Sequence, residues 1–338
     1  MNRDSAIQNR RVILASRPTG VPQAEDFAID EVALQPLRQG ELRIANKFLS
    51  VDPAMRGWIA DVGNYSTPVP LGSVMRSLAV GDIVESRHAE WQAGTTVLGW
   101  FGWQDYASVE PTAIIRTVRQ IDLPTSLALG VLGINGVTAF LGLTLAGQPK
   151  PDDTLVISTA AGSVGSAVGQ IGKLLGCRTV GIAGGPAKVE QCLKQFGYDA
   201  ALDYKAGRLD AAIAESCPNG VDVYFDNTSG PISDAVLQHI ALGARVVICG
   251  TAAIDHWSPW PTGPRVERRL LVKRAQMRGF VVFDHMDRWE ETIDRLAQWV
   301  RVGKLRYSEE ILDGLECCPD ALAGLYRGEN AGKRIIRL

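Results

Sequence analysis

The first half of this 338-residue chain has no cysteine and a single histidine, His88. A catalytic zinc takes three protein ligands, so one imidazole cannot hold it, and no metal site is expected. The six cysteines, at positions 177, 192, 217, 249, 317 and 318, contain no C-x-x-C pair. Neither a disulfide framework nor a zinc finger is expected from them, and a reducing cytoplasm is the expected location. An excess of one charge is also missing. Lys and Arg number 35 against 37 Asp and Glu, a formal charge of −2, which offers no electrostatic grip on nucleic acid or an anionic membrane. The local cluster Arg265, Arg268, Arg269, Lys273 and Arg274 is broken by Glu267 and reads as solvated or cofactor-facing surface. Met1 to Arg11 is polar and carries both signs, which is no secretory signal.

One uncharged run reaches membrane-spanning length, Leu127 to Gly147, "LALGVLGINGVTAFLGLTLAG". Five glycines and a central Asn135 interrupt it, and Gly147-Gln148-Pro149 closes it as a helix end would. A buried helix of a soluble domain is the expectation.

The length fits two domains. Up to about residue 120 the texture is of short β-segments broken by Pro and Gly: "RRVILAS", "ELRIANKFLSV", "GDIVES" and "TTVLGWFGW". From Asp153 onward apolar strands alternate with helical stretches. "TLVIS" precedes a helix over 162–176, "RTVGIA" one over 186–196, and "AALDY" one over 209–217. "VDVYFDN" precedes a helix over 232–242, then come "ARVVICG" and, after a loop, "RGFVVFD". Such alternation predicts an α/β fold with a doubly wound parallel sheet. Met286–Val302 is amphipathic, and the tail from "YSEEILDGLE" to "KRIIRL" returns to β-like texture, rejoining the first domain.

"TLVIS" runs into Ala160-x-Gly162-x-x-Gly165 at the start of a helix, the strand–turn–helix setting of a dinucleotide fingerprint. Gly162 lets backbone approach a pyrophosphate, Gly165 lets the helix pack close to the strand, and the helix N-terminus offers N–H groups to the phosphates. Alanine stands where the first glycine is usual, so the motif alone reads equally as a tight structural turn; the surrounding alternation makes it a cofactor site. An NAD site places a carboxylate at the end of the second strand for the ribose 2′-hydroxyl. Here that strand ends Ala183-Gly184-Gly185 with no acid, and Lys188 follows, which favours the 2′-phosphate of NADP.

Read in order, "LSVDPAMRGW", "LGINGVTAFLGL", "AAGSVGSAVGQIGKLLGC", "GGPAK", "DYK", "YFDN", "ICG", "RGFVVFD" and "ENAGK" resemble the zinc-free medium-chain dehydrogenase/reductases. The branch is that of prostaglandin reductase and leukotriene hydroxydehydrogenase, which includes curcumin and plant double-bond reductases. The resemblance covers nearly the whole chain. It implies a Rossmann domain, residues 131–304, inserted in a GroES-like, mostly-β substrate domain made of 1–130 and 305–338. It implies that Gly162, Ser163, Val164 and Gly165 form the pyrophosphate turn, with Lys188 and Tyr204 at the 2′-phosphate. Asn227, the segment Cys249, Gly250, Thr251, and Phe280, Val281, Val282, Phe283 would line the ribose and nicotinamide, and Asn330 would hold the cofactor from the tail. It also implies a homodimer paired through the edge strand "RGFVVFD".

Zinc alcohol dehydrogenases of this superfold polarise their substrate with a metal held in the first domain, and the ligands for it are absent here. NADPH can still pass hydride to a carbon made electrophilic by a conjugated carbonyl, if a donor steadies the developing oxyanion. The implied reaction is reduction of the carbon–carbon double bond of an α,β-unsaturated ketone or aldehyde. Two departures bear on that donor. Relatives often carry a tyrosine after the "CG" strand, where this chain has Asp255, His256 and Trp257, and "DPYMR" appears as Asp52-Pro53-Ala54-Met55-Arg56. Tyr65 and His256 are therefore the catalytic candidates, with the ribose hydroxyl as an alternative. Trp58, Trp103, Trp257 and Trp260 point to an aromatic pocket for a bulky substrate. Competing readings are a quinone reductase of the same fold and a non-catalytic NADPH-binding protein.

Overall fold

A computed structural model of the chain describes residues 7–62, 64–254 and 259–338. It forms two compact units. One takes the chain up to Leu129 and returns for Glu309–Asn330 and Arg334–Leu338; the other is Gly130–Ser308 with Ala331–Lys333.

In the first unit β1 (Gln8–Leu14) pairs antiparallel with β2 (Phe27–Ala33), in register from Gln8 opposite Ala33 to Leu14 opposite Phe27. Then come β3 (Leu42–Ser50), the short helix α1 (Met55–Ile59), β4 (Leu78–Ser86), β5 (Thr96–Trp100), β6 (Tyr106–Val109) and β7 (Ile114–Thr117). The second unit opens with α2 (Ile134–Leu141), which continues as a π-helical turn over Gly142–Gly147. It then alternates β8 (Thr154–Ser158), α3 (Ser163–Leu174), β9 (Arg178–Ala183), α4 (Pro186–Lys194), β10 (Ala200–Asp203) and α5 (Leu209–Ser216). The second half of the alternation is β11 (Val221–Asp226), α6 (Gly230–Gln238), β12 (Ile240–Ile248), α7 (Glu267–Lys273), β13 (Gln276–Gly279) and α8 (Trp289–Arg301). The chain returns to the first unit as β14 (Glu309–Asp313), α9 (Cys318–Arg327) and β15 (Lys333–Arg337).

The alternating strands form one parallel sheet in the order β10-β9-β8-β11-β12-β13. Counted from β8 this is 3-2-1-4-5-6, the doubly wound order whose ligand crevice lies at the carboxyl ends of β8 and β11. β8, "TLVIS", is buried at every residue, as a central strand covered by helices on both faces must be. The first unit's main sheet runs β14-β15-β3-β4-β5-β7, with β6 also on β3, so the tail closes the domain that the N-terminus opened. Each unit has its own core: Val12, Leu14, Ile44, Phe101 and Trp103 in one, Val156, Val180, Tyr224 and Val246 in the other.

Three expected elements differ. The uncharged run 127–147 is not one helix: Thr125–Leu129 is a 3₁₀ turn, α2 starts at Ile134, and the helix closes where Gln148 turns left-handed at φ 43°. No helix among the described residues is long and apolar enough to cross a membrane. The helix expected to reach residue 242 stops at Gln238, because Ile240 already pairs with Val221. "RGFVVFD" is strand only at its start. β13 pairs Gln276–Gly279 with β12, and Val282 begins a 3₁₀ turn that still buries Phe280 and Val282. The burial in this run falls on Phe280 and Val282, after the strand has ended.

Candidate active site

The chain leaves β8 at Ser158 and turns at Thr159, whose φ of 54° is left-handed despite its β-branched side chain. Ala160 follows, its N–H held 3.0 Å from the carbonyl of Ile182 on β9. A methyl replaces hydrogen at this first motif position, and the neighbouring strand makes room with Gly181, where a Cβ would lie 2.7 Å from that methyl. At Gly162 a Cβ would lie 2.9 Å from Thr159 Cγ2, and at Gly165 it would run into the Thr159 carbonyl oxygen. The close approach therefore excludes any side chain at Gly165. Gly162 caps α3 with no side-chain hydrogen bond, so the N–H groups of Ser163, Val164 and Gly165 stand at the helix N-terminus without a side-chain cap. The turn presents backbone N–H groups at a helix N-terminus, an arrangement that binds phosphate groups.

β9 ends at Ala183, and Gly184 lies flat under the Tyr204 ring, where a Cβ would be 2.8 Å from Cε1. Lys188 is the third residue of α4, half-buried. The carboxylate in this corner is Asp203. Its Oδ1 accepts the N–H groups of Gly185 at 2.8 Å and Lys205 at 2.9 Å, and these two bonds hold the carboxyl below its usual range. Lys205 places its ammonium 5.9 Å from the Tyr204 ring centre. The Lys205 ammonium and the Tyr204 phenol thus stand beside an acid already committed to backbone, with Lys188 on the first turn of the next helix.

Where β11 ends, fully buried Asp226 organises the crevice. Its Oδ1 accepts from the Tyr224 hydroxyl at 3.0 Å, the Ser158 hydroxyl at 3.2 Å, and the N–H groups of Thr228 and Ser229, both at 2.9 Å. Its Oδ2 is buried with no partner among the described residues. Asn227 donates its N–H to Ser158 Oγ and its Nδ2 to the Ser158 carbonyl, each at 2.8 Å. That fixes the amide so that Oδ1 is the end left to accept from a ligand. Ser229 carries a φ of 57° with ψ −162°, a strained region for a residue with a Cβ. Cys249 and Gly250 donate their N–H groups to the Asp226 carbonyl, at 2.8 and 3.1 Å. Gly250 passes so near Asn227 that a Cβ would sit 2.8 Å from its carbonyl oxygen. Burial, with the Asp226 charge, pushes the Cys249 thiol up to about 12, which leaves it protonated. Thr251 is exposed beyond them. Phe280 bonds Ile248 through its N–H at 3.0 Å and stacks on His285; Val281 and Phe283 are half-buried and Val282 is buried. Asn330 is half-buried between α9 and β15 in the first unit.

In the first unit, Trp100 and Tyr326 join an aromatic cluster in which the sequence singles out neither of them. Trp58, on α1 and 2% exposed, donates its indole N–H to the Tyr65 hydroxyl at 3.3 Å and meets Trp100 edge-on at 5.5 Å. Tyr65 itself is 56% exposed. Buried Arg56 lies over the Tyr326 ring at 5.6 Å, and the Tyr326 hydroxyl donates to the Pro53 carbonyl at 2.6 Å. Burial pushes that phenol well up, partly opposed by Arg56. Tyr326 and Pro53 are too far apart in the chain for any local pattern to pair them.

Of the four tryptophans expected around a pocket, Trp103 is core, bonded to the Ser50 carbonyl at 3.0 Å, and Trp260 is exposed. Trp257, Asp255 and His256 lie outside the described residues. His88 accepts the Glu90 N–H at 3.2 Å through Nδ1, and no group of three or more His, Cys, Asp or Glu able to hold a metal occurs among the described residues. Arg265, Arg268 and Arg269 line a cavity of about 360 Å³ with Asp234, and Arg265 pairs with Glu267.

Residues 10–117 match the family described as N-terminal domain of oxidoreductase, and residues 163–298 match the one described as Zinc-binding dehydrogenase. The chain is 40% identical to the NADPH-dependent curcumin reductase of Escherichia coli (strain K12), over 98% of this chain and 97% of that one. It is 35% identical to the NADP(+)-dependent 2-alkenal reductase of Nicotiana tabacum, over 98% and 97%. The crystal structure of CurA from Vibrio vulnificus in complex with NADPH superposes with a TM-score of 0.92, at 41% identity and over 97% and 98% of the two chains.

Proposed function

This chain belongs to the zinc-free branch of the medium-chain dehydrogenase/reductases, with the curcumin, alkenal and prostaglandin reductases, and we propose that it reduces the carbon–carbon double bond of α,β-unsaturated ketones and aldehydes with NADPH. The observation that carries the reading is 40% and 35% identity, over 98% of this chain, to two NADPH- or NADP-dependent reductases, joined to a turn in which Gly162 and Gly165 pack against Thr159 too closely for a Cβ.

The residues present fit the cofactor: the cradle at Gly162 and Gly165 has no room for a Cβ, and the α3 N-terminus carries no side-chain cap. In this reading Gly162, Ser163, Val164 and Gly165 hold the pyrophosphate, and Lys188 and Tyr204 hold the 2′-phosphate. Asn227 accepts from a ribose hydroxyl with the oxygen that its bond to Ser158 leaves outward. The backbone of Cys249, Gly250 and Thr251 and the segment Phe280–Phe283 border the nicotinamide side, and Asn330 is a further cofactor contact. NADPH, when bound, supplies the hydride that the β-carbon receives. The chain's part is to orient the reactants and to steady the charge that develops on the carbonyl oxygen. Tyr65 is the donor to that oxygen. The Trp58 indole N–H, by hydrogen bonding to the phenol oxygen, strengthens the phenol as a donor in turn. A proton from solvent completes the α-carbon, giving the saturated carbonyl compound.

The expected test result is NADPH oxidation with enones and enals, little with NADH, and none with simple quinones; turnover confined to quinones, or none, would overturn the assignment. We propose further that the enzyme is a cytoplasmic homodimer. All six cysteines are unpaired, and β13 is exposed at every residue on the sheet's edge, where a second copy would cover it. Light scattering at micromolar concentration should then give twice the chain mass of 36.5 kDa, and the monomer mass would refute the pairing.

A further inference from the structure

Helix α1 spans only Met55–Ile59, and its first turn has no side-chain cap. So short a helix cannot hold itself, and its place is set by what it packs against. Its opening turn is closed by the N–H groups of Met55, Arg56 and Gly57, which donate to the carbonyls of Asp52, Pro53 and Ala54 at 3.0, 3.2 and 3.0 Å. The Pro53 carbonyl accepts a second and shorter bond from outside the helix. Its donor is the Tyr326 hydroxyl on α9, at 2.6 Å and 273 positions further along the chain. Buried Arg56, on the first turn of α1, also lies over the Tyr326 ring, so α9 meets this turn through both ring and hydroxyl.

The same helix holds the Tyr65 phenol. Trp58 donates its indole N–H to the Tyr65 hydroxyl at 3.3 Å, and its carbonyl accepts the Val69 N–H at 2.7 Å. The segment 65–69 is therefore tied to α1 at two points. Trp58 has little freedom of its own, being buried and met edge-on by Trp100 of β5. The two phenols are also close enough that Tyr65 adds to the upward shift that burial imposes on Tyr326. Every link from Tyr326 to Pro53, from α1 to Trp58 and from Trp58 to Tyr65 is a direct contact within the first unit.

We propose that Tyr326 is a positioning residue for the reduction: its bond to Pro53 sets where α1 begins, and α1, through Trp58, sets where the Tyr65 phenol stands. Tyr326 does not itself serve the substrate oxygen, because its only proton is given to Pro53. A donor to a developing oxyanion acts only when it is placed in advance, so slack in α1 lowers the rate of the chemical step more than the binding of substrate. The inference rests on the Tyr65 reading above.

The test is a double-mutant cycle on the whole protein with NADPH and one simple enone: wild type, Tyr326→Phe, Tyr65→Phe and the two together. Tyr326→Phe keeps the ring beside Arg56 and removes only the hydroxyl. Its kcat should fall about threefold to tenfold, the size of one hydrogen bond, with KM for the enone and Kd for NADPH unchanged. Added to Tyr65→Phe, the same substitution should change kcat by less than about twofold, because the group it positions is gone. Wild-type kcat in Tyr326→Phe, a loss confined to KM, or an equal loss in both backgrounds would each overturn the inference and leave the Tyr65 reading intact. The last of these is what a general loosening of the fold would give. Should Tyr326→Phe not fold, the same cycle with Tyr326→Leu, which keeps an apolar side chain on α9, decides. Wild-type kcat in Tyr65→Phe would overturn the donor reading, and this inference with it.

Discussion

The two units hold their functional groups by different means. In the second, position is written in the backbone: Gly165 lies against Thr159, Gly250 against Asn227, and Asp226 gathers the N–H groups of the loop that follows it. In the first, position is written in side chains, where Trp58 bonds nearby Tyr65 and Tyr326 bonds Pro53 from the far end of the chain. A backbone cradle constrains its ligand by geometry alone. A side-chain cluster can change its occupant by substitution. The expectation is that damage to the first unit changes turnover and damage to the second changes cofactor affinity.

Tyr65→Phe should show the largest effect on the first side. If the phenol stabilises charge present mainly in the transition state, kcat should fall by about 10²–10³ with little change in KM. NADPH affinity should stay unchanged; a silent variant would leave the ribose hydroxyl as donor, and the same measurement on His256→Ala would then locate any side-chain donor. On the second side, Gly165→Val must displace the Thr159 carbonyl, a strain of about 3 kcal/mol, so NADPH should bind about 100-fold more weakly. Equilibrium dialysis would show it, and wild-type affinity would refute the cradle.

Lys188→Ala sharpens the comparison within the cofactor itself. Loss of a charge-assisted bond should weaken NADPH by about 1.5–3 kcal/mol while NADH is little affected. Equal loss for both would show that Lys188 does not read the 2′-phosphate.

The legible part of the molecule was the part governed by steric rules. The doubly wound parallel sheet, the glycine turn and the missing acid after β9 follow from residue types that leave the backbone few choices. Asp203 was not legible as the corner's carboxylate, because its engagement with Gly185 and Lys205 depends on how β9 and β10 lie together. Nor was Tyr326, which reaches Pro53 from the far end of the chain. The apolar run "RGFVVFD" was read as strand because hydrophobicity reports burial, while its 3₁₀ turn at Val282 depends on tertiary packing.

The smallest expected effect is none. Burial pushes the thiols of Cys177 and Cys217 up to about 11 and those of Cys192 and Cys249 up to about 12. Cys317 and Cys318 are shifted upward as well. All are therefore protonated at pH 7.5, and iodoacetamide should leave activity intact. Above about pH 9 unfolded thiols ionise while folded ones do not, so the melting temperature should fall as pH rises. Rapid inactivation at pH 7.5 would show a thiolate near the substrate.

Transfer of label from 4-deuterated NADPH to a simple enone, read by NMR of the product, tests the assigned reaction most directly. The expected product is the saturated ketone with deuterium on the β-carbon. An allylic alcohol with deuterium on the former carbonyl carbon would contradict it, because the oxygen would then have been reduced in place of the double bond.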